Sequence, residues 1–261
     1  MTVPGPPGKD PARALAAADP DGAAGLPELS QAELCVLGVA ATSLVCERTW
    51  SWWSRMSEDE RQDMTVKTLE LLAVRKLIAL PGAGSGPADL GRHQNPLTVA
   101  AGAAVIVAAR AAPRPLVTCQ LPGRNAGFQP RFFGMTQARR GLRALVCELL
   151  TARPSGPGGR PEFGTVLRYA LVSPARAGAM LASWAQTISP PGGLGGESPT
   201  VDIFSHDQQQ RLRRDRFQLR PDGAMFEVTR TGRDGAPDPA LRFDRMGLAQ
   251  QLTSALTRAA R

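Results

Sequence analysis

Histidine, tyrosine and lysine are scarce in this sequence of 261 residues, which has two histidines and a single tyrosine. All but three of its 31 basic residues are arginine. The histidines, His93 and His206, belong to no His-Glu-x-x-His motif, and the four cysteines form no Cys-x-x-Cys pair. Neither a Gly-x-x-x-x-Gly-Lys phosphate loop nor a Gly-x-Ser-x-Gly nucleophile motif occurs. These absences predict a protein that is not an enzyme and that has no metal site and no cofactor.

Long hydrophobic runs are also missing. The longest uncharged apolar stretch in mid-chain, from Leu97 to Ala109, has 13 residues, which is too short for a membrane span. The N-terminal segment has no apolar core like that of a signal peptide. Three of the four cysteines lie inside apolar runs, as is typical of buried, reduced thiols. We therefore expect a cytoplasmic protein without a membrane span.

The formal net charge of +8 admits two explanations. Arginine, alanine, glycine and proline are abundant while lysine is rare, a composition typical of a high-GC bacterium. A basic surface also attracts nucleic acid and other acidic partners without specificity. The charge therefore leaves DNA open as a partner but does not by itself indicate DNA binding.

The N-terminal part divides into a predicted tail, residues 1–29, and a helical part, residues 30–115. The tail is rich in proline and glycine and has no aromatic residue, so we expect it to be disordered. Ser30 and Ser57 each precede a glutamate by three residues, which is the capping-box spacing that begins a helix. The pattern predicts helices over residues 31–50, 57–78 and 97–111.

The C-terminal part, residues 116–261, changes from helical to strand periodicity. Short apolar runs are separated by turn signals, among them Asp222-Gly223. The fold class that follows is α+β, with a helical N-terminal part and then an antiparallel sheet with packed helices. Segments 116–188 and 200–258 share an order of strands followed by a helix, which suggests quasi-twofold repetition. Strands are predicted over 116–121, 132–135, 163–172, 200–205, 212–220 and 224–231, helices over 175–188 and 244–258, and either structure over 142–150.

Three of the four tryptophans, Trp50, Trp52 and Trp53, lie within four residues at the end of the first predicted helix. Consecutive indoles cannot all face one core, so the cluster has two interpretations. Either two of them pack against the next helix and one stays half-exposed, or at least one lies in a protein interface, where tryptophan is favoured. The three residues are our candidates for partner binding.

The segment Gln208 to Arg220 holds five candidates for binding nucleic acid: Arg211, Arg213, Arg214, Arg216 and Arg220. On a strand, Phe217 and Leu219 point inward while Arg216 and Arg220 point outward, and outward arginines can contact phosphates. The alternative is a solvated sheet face. A catalytic pair of His206 with Asp202 or Asp207 is a third hypothesis, but a histidine in a solvated loop is the favoured explanation of that pattern.

The helices before the glycine-rich loop at residue 82 also resemble a winged helix-turn-helix, in which a recognition helix is followed by a two-strand wing. The candidate recognition helix carries Lys67, Arg75 and Lys76, but the sequence shows no evident wing strands. A DNA-binding transcriptional regulator is therefore the alternative function.

The order of elements resembles that of the EspG family, cytosolic chaperones of type VII secretion in GC-rich bacteria. The helix end LAVRKLIALPG is similar to the family's helix ends, although it has Lys-Leu where the family commonly has Gly-Leu. The stretch AAVIVAARAAPRPLVTCQL and the closing meander and helix extend the likeness over residues 30–258. The resemblance implies a quasi-twofold sheet-and-helix fold that binds a helical secretion substrate and catalyses nothing. No site residue is carried over, because no position-specific motif matches.

Together these patterns predict a protein-binding adaptor or secretion chaperone in the cytoplasm.

Overall fold

A computed structural model describes residues 23–39, 53–79, 98–121, 129–137, 141–150, 166–188, 198–206, 209–232 and 235–261 of the chain. The chain divides into two compact units. The first is built chiefly on residues 26–112, and the second on residues 113–152 and 169–261.

The first unit is mainly helical. Strand β1 leads into it, two helices and a short antiparallel strand pair follow, and a third helix closes it. Its elements are β1 (Ala23–Ser30), α1 (Gln31–Leu34), a π-helical turn (Cys35–Val39), α2 (Glu58–Val74), β2 (Ile78–Ala79), β3 (Thr98–Val99) and α3 (Ala101–Ala111).

Both predicted capping boxes are confirmed. Ser30 caps α1 and Ser57 caps α2, each accepting a hydrogen bond from the backbone three residues on, while the glutamate there accepts one from the cap residue. Glu33 is only 4% exposed and also forms an ion pair with Arg75 at the end of α2. The Glu33 carboxylate therefore connects the beginning of α1 with the end of α2.

Several predicted boundaries in the first unit are wrong. Residues 23–29 form a strand and bury Leu29 completely, so they are not part of a disordered tail. Helix α2 ends at Val74, and Ile78 begins a strand, because the chain turns at Lys76, which has a φ of 56°. Residues 1–22 and 40–52, which include most of the predicted tail and the end of the first predicted helix, lie outside the described residues.

The second unit carries most of a large antiparallel sheet, and the α+β fold class is confirmed. Every strand pairing whose register is defined is antiparallel. The remaining elements are β4 (Leu116–Gln120), β5 (Arg131–Gln137), β6 (Gly141–Leu150), β7 (Val166–Val172), α4 (Pro174–Thr187), β8 (Thr200–His206), β9 (Leu212–Asp222), β10 (Met225–Thr231), β11 (Leu241–Asp244) and α5 (Arg245–Ala259).

The strand order is repetitive about its middle. In the second unit the strands follow one another as β7-β6-β5-β4-β8-β9-β10-β11. Strands β4 and β8 are neighbours at the centre. On one side of this pair the order from the centre to the edge is β4, β5, β6, β7, and on the other side it is β8, β9, β10, β11. In the sequence, each set of four strands is followed by a helix, α4 or α5. Segments 116–188 and 200–258 share the same order of strands followed by a helix. In the sheet, these two segments are therefore arranged with quasi-twofold symmetry.

Helices α4 and α5 cover one face of the sheet. Alternate strand residues, such as Phe132, Ile203 and Phe217, face them and are at most 1% exposed. Leu248 and Leu252, on the predicted apolar stripe of α5, are completely buried in the same core. Since successive strand residues point to opposite faces, the residues between these core positions line the second face of the sheet.

Candidate functional site: a polar ladder on the sheet

Polar side chains follow one another across the second face of the sheet, each directly opposite the next in the strand register. Charge alternates along this row, with two hydroxyl residues among the charged ones. We name the row the polar ladder. It consists of Glu148 on β6, Arg131 on β5, Thr118 on β4, Asp202 on β8, Arg216 on β9 and Thr231 on β10.

Asp202 is the most enclosed charge of the polar ladder, with no exposed surface. Arg214 donates to its carboxylate from Nε and Nη2 at 3.0 and 2.7 Å, and Arg216 does the same at 2.9 and 3.2 Å. Arg214 also lies over the ring of Phe204, 5.6 Å from its centroid, as in a cation–π contact. Two forked guanidinium groups are thus fixed on one buried carboxylate.

Opposing effects act on the pKa of Asp202. Burial raises the pKa above its ordinary value, while the hydrogen bonds and the positive charge of Arg216 lower it. Because both carboxylate oxygens accept hydrogen bonds from arginines, the geometry favours a fixed structural anion over a proton-transfer group.

One end of the polar ladder holds a second buried carboxylate, Glu148. Glu148 is 2% exposed and accepts a hydrogen bond from the Tyr169 hydroxyl at 2.8 Å. Arg131, its neighbour in register, has Nη1 at 3.8 Å from Oε1 of Glu148. A buried carboxylate with such partners holds the strands in register, since a slip by one residue would place the charge in the apolar core.

The five candidate arginines on and just before β9 differ in their exposure and in their contacts. Phe217 and Leu219 are buried as predicted, and Arg220 is exposed opposite Glu227. Arg216 lies on the face opposite Phe217, as predicted, but its guanidinium is hydrogen-bonded to Asp202 and its side chain is only partly exposed. Arg211 and Arg213 are exposed at the beginning of the strand.

A groove of about 350 Å³ lies at the ends of β9 and β10. Arg213, Arg214 and Arg216 line it together with Leu212, Thr231, Gly232 and Gly235. The structure therefore brings three of the five arginine candidates to one concave surface and leaves Arg220 outside it.

The hypothesis of a catalytic His206–Asp202 pair finds no support in this geometry. His206 is exposed and pairs with Leu212 at the start of β9. The hydrogen bonds to Asp202 come from the two arginines. Asp207 lies outside the described residues.

The described cysteines are buried, and burial raises the pKa of each thiol. Burial raises the pKa of Cys35 to about 11 and that of Cys147 to about 12, and it raises the pKa of Cys119 as well. A raised pKa lowers the fraction of thiolate at neutral pH, and the thiolate is the reactive form of cysteine. Their burial agrees with the prediction from the apolar runs around them.

Of the tryptophan candidates, only Trp53 falls among the described residues. It is half-buried and packs against Cys35 in the first unit. Trp50 and Trp52 lie outside the described residues, so a role of the cluster in partner binding stays a prediction.

Sequence reasoning missed the polar ladder, because its members come from six strands and no local spacing joins them. One signal was available: Glu148 and Asp202 are single carboxylates inside otherwise apolar runs, ALVCELL and TVDIF. A charge in such a position needs a partner, but the sequence does not show which arginine supplies it.

In the parts of the chain that the structure describes, no group of three or more His, Cys, Asp or Glu residues is arranged to hold a metal ion. None of the described helices is long and apolar enough to cross a membrane. No protein-family model, curated protein or solved structure matches the chain.

Proposed function

We propose that this chain is a non-enzymatic adaptor or secretion chaperone of the cytoplasm, which binds a helical protein partner. The observation that carries the proposal is an exposed apolar pair on α2. Leu71 is 59% exposed and Val74 is 78% exposed, and they lie three residues apart on one face of the helix. Together they form a small exposed apolar patch on an otherwise charged helix, and we assign the partner surface to this patch.

The other face of α2 already packs against its own unit. Leu72 is completely buried and Thr68 is 3% exposed, so the helix does not need Leu71 or Val74 to attach to the fold. The apolar residues of α2 are thus distributed over two faces, one occupied within the chain and one open. An open apolar face on a helix fits an apolar stripe on another helix.

The EspG-like resemblance supports the same function from a different direction. It implies a quasi-twofold sheet-and-helix fold, and the strand order around the β4·β8 pair has that form. In that family the partner is a helical secretion substrate, which agrees with a helix as the occupant of the α2 surface.

Replacement of both exposed residues, Leu71→Ser with Val74→Ser, tests this proposal. Because neither side chain is buried, the melting temperature should stay near that of the wild-type chain. If the pair is central to the interface, the affinity for the partner should fall about 30-fold, the equivalent of about 2 kcal/mol. The measurement is affinity capture from the native lysate, followed by mass spectrometry and a titration of the captured partner.

Met246→Ser is the matched control, because Met246 is 68% exposed but belongs to the second unit. It should leave the capture unchanged. A partner that binds the Leu71/Val74 double variant as tightly as the wild-type chain would remove the α2 surface from the proposal. Loss of every captured protein after nuclease treatment would argue against a protein partner altogether.

A DNA-binding regulator is the alternative function, and one observation favours it. Strands β2 and β3 pair antiparallel after α2, at the place where a winged helix-turn-helix has its wing. The charge of α2 opposes it: the helix has five acidic residues and only two basic ones. A helix with this balance is repelled by the phosphates that flank a DNA groove. We therefore place DNA binding second.

Fluorescence anisotropy with a labelled duplex distinguishes the two functions. If α2 enters DNA, Lys67→Gln should weaken binding, and the logarithm of the binding constant should fall by about 0.9 for each phosphate contact per tenfold increase in salt. We expect weak binding that Lys67→Gln does not change. Sequence-specific binding that depends on Lys67 would instead support the regulator.

A further inference from the structure

The sheet of the second unit ends at β11, and the outer side of this strand is open. β11 is the last strand in the sheet order, and β10 is its only partner among the described strands. Leu241 is 55% exposed, and Arg242 and residues 235–240 are exposed as well. Such an edge presents a row of backbone N–H and C=O groups with which another strand can pair.

The side chains of β11 are divided between the two faces of the sheet. Phe243 stands opposite the buried Phe226 in register, so Phe243 and Leu241, two residues before it, lie on the face that carries the core. Arg242 and Asp244 lie on the other face, because successive strand residues alternate. β11 thus has one apolar face and one face with a single charge of each sign.

Two copies of β11 fit each other in one antiparallel register. When a two-fold axis passes through Phe243, this residue faces its own copy, and Arg242 of each chain faces Asp244 of the other. An axis through either charged residue would place like charges opposite each other, and an axis between Arg242 and Phe243 would place each charge opposite an apolar side chain. Opposite charges that face each other directly stabilise a strand pair, whereas like charges destabilise it.

The present contacts of the two charged residues are compatible with this pairing. Arg242 forms an ion pair with Asp222, but the two side chains are 62% and 59% exposed, and an ion pair so exposed contributes little. Asp244 accepts a hydrogen bond from the backbone N–H of Gly247 through Oδ1 at 2.7 Å, which uses one of its two carboxylate oxygens. Both residues therefore retain polar groups for a second partner.

We propose that a second copy of this chain pairs with the outer side of β11, in the register that places Phe243 on the two-fold axis. Leu241 and Phe243 of each copy come together on one face, and two pairs of opposite charge form on the other. The pairing is confined to about four residues of each chain, because α5 follows the strand and Pro239 precedes it. So short an interface gives a weak dimer, with a dissociation constant in the micromolar range.

Sedimentation equilibrium of the full chain at several concentrations tests the register through an exchange of charges between chains. Arg242→Asp places carboxylates opposite each other in both charge pairs, and Asp244→Arg places guanidinium groups opposite each other. Each variant alone should dimerise at least about tenfold more weakly than the wild-type chain. A mixture of the two variants has opposite charges in both pairs again, so its heterodimer should match the wild-type affinity within about threefold.

Leu241→Ser is a further variant, in case Asp244→Arg loses the N-cap of α5 and does not fold. It should weaken the dimer several-fold at an unchanged melting temperature, because Leu241 is exposed. Leu212→Ser is its matched control: Leu212 is 66% exposed in the same unit but begins β9, so the dimer should not change.

A wild-type chain that stays monomeric at the highest concentration would overturn the proposal. A mixture of the two folded charge variants that forms no heterodimer would overturn it as well. So would a wild-type dimer that Leu241→Ser weakens no more than Leu212→Ser does, because the interface would then lie elsewhere on the chain.

Discussion

Gly178→Ala should lower the free energy of unfolding by about 2 kcal/mol, although alanine is the better helix former. Gly178 lies where α4 crosses α5, and a Cβ there would stand 2.1 Å from Oγ1 of Thr253 and 2.5 Å from the backbone oxygen of Ala249. Relief requires the two helices to move apart, which loosens the core beneath them. Thermal denaturation should show a melting temperature about 4–8 °C lower.

A double variant separates the two contacts of this crossing. Thr253→Ala removes the side-chain oxygen but leaves the backbone oxygen of Ala249. In the Thr253→Ala background, Gly178→Ala should therefore lower the free energy of unfolding by less than in the wild-type chain, but should still lower it. Gly25→Ala is the control, because no atom lies within 4 Å of the Cβ that it adds. A Gly178→Ala chain that melts with the wild type would mean that α4 and α5 do not approach so closely.

The elements that the sequence predicts well are those with strong local signals. Helix α4 begins at the Ser173-Pro174 cap, and α5 has leucines four residues apart, Leu248, Leu252 and Leu256, all completely buried. The β9–β10 hairpin turns at Gly223, which has a φ of 63°. In each case the periodicity, the cap and the turn residue agree, so local preference and tertiary packing select the same structure.

The strands that the sequence misses lack such signals. β2, β3 and β11 have only two to four residues, too few for an alternating pattern to develop. β1 lies in a segment whose proline and glycine content predicts disorder, yet Leu29 is buried. Pairing with neighbouring strands stabilises these short segments, and a single sequence does not show that pairing.

For the candidate sites, too, local patterns could be predicted from the sequence, whereas contacts between strands could not. The arginine run on β9 and its buried Phe217 and Leu219 are visible as a strand pattern, and the structure gathers three of these arginines at one groove. The partner of Arg214 and Arg216 is Asp202, 12 and 14 residues away on the neighbouring strand. Only the register of β8 with β9 brings them together, so the turn of Arg216 onto Asp202 could not be derived from alternation alone.

Asp202→Ala should be among the most damaging single changes in the second unit. It removes the carboxylate to which both Arg214 and Arg216 are hydrogen-bonded and leaves two neighbouring guanidinium groups without that counter-charge. Loss of one partner from a buried ion pair costs about 3–5 kcal/mol, but these arginine side chains are 43% and 39% exposed and water can reach them, so we expect about 2–3 kcal/mol. Asp202→Asn keeps the shape of the side chain and one acceptor oxygen. It should therefore lower the free energy of unfolding by less than Asp202→Ala does. Urea denaturation of the three chains measures this order, and an Asp202→Ala chain as stable as the wild type would show that the centre of the polar ladder contributes nothing to the fold.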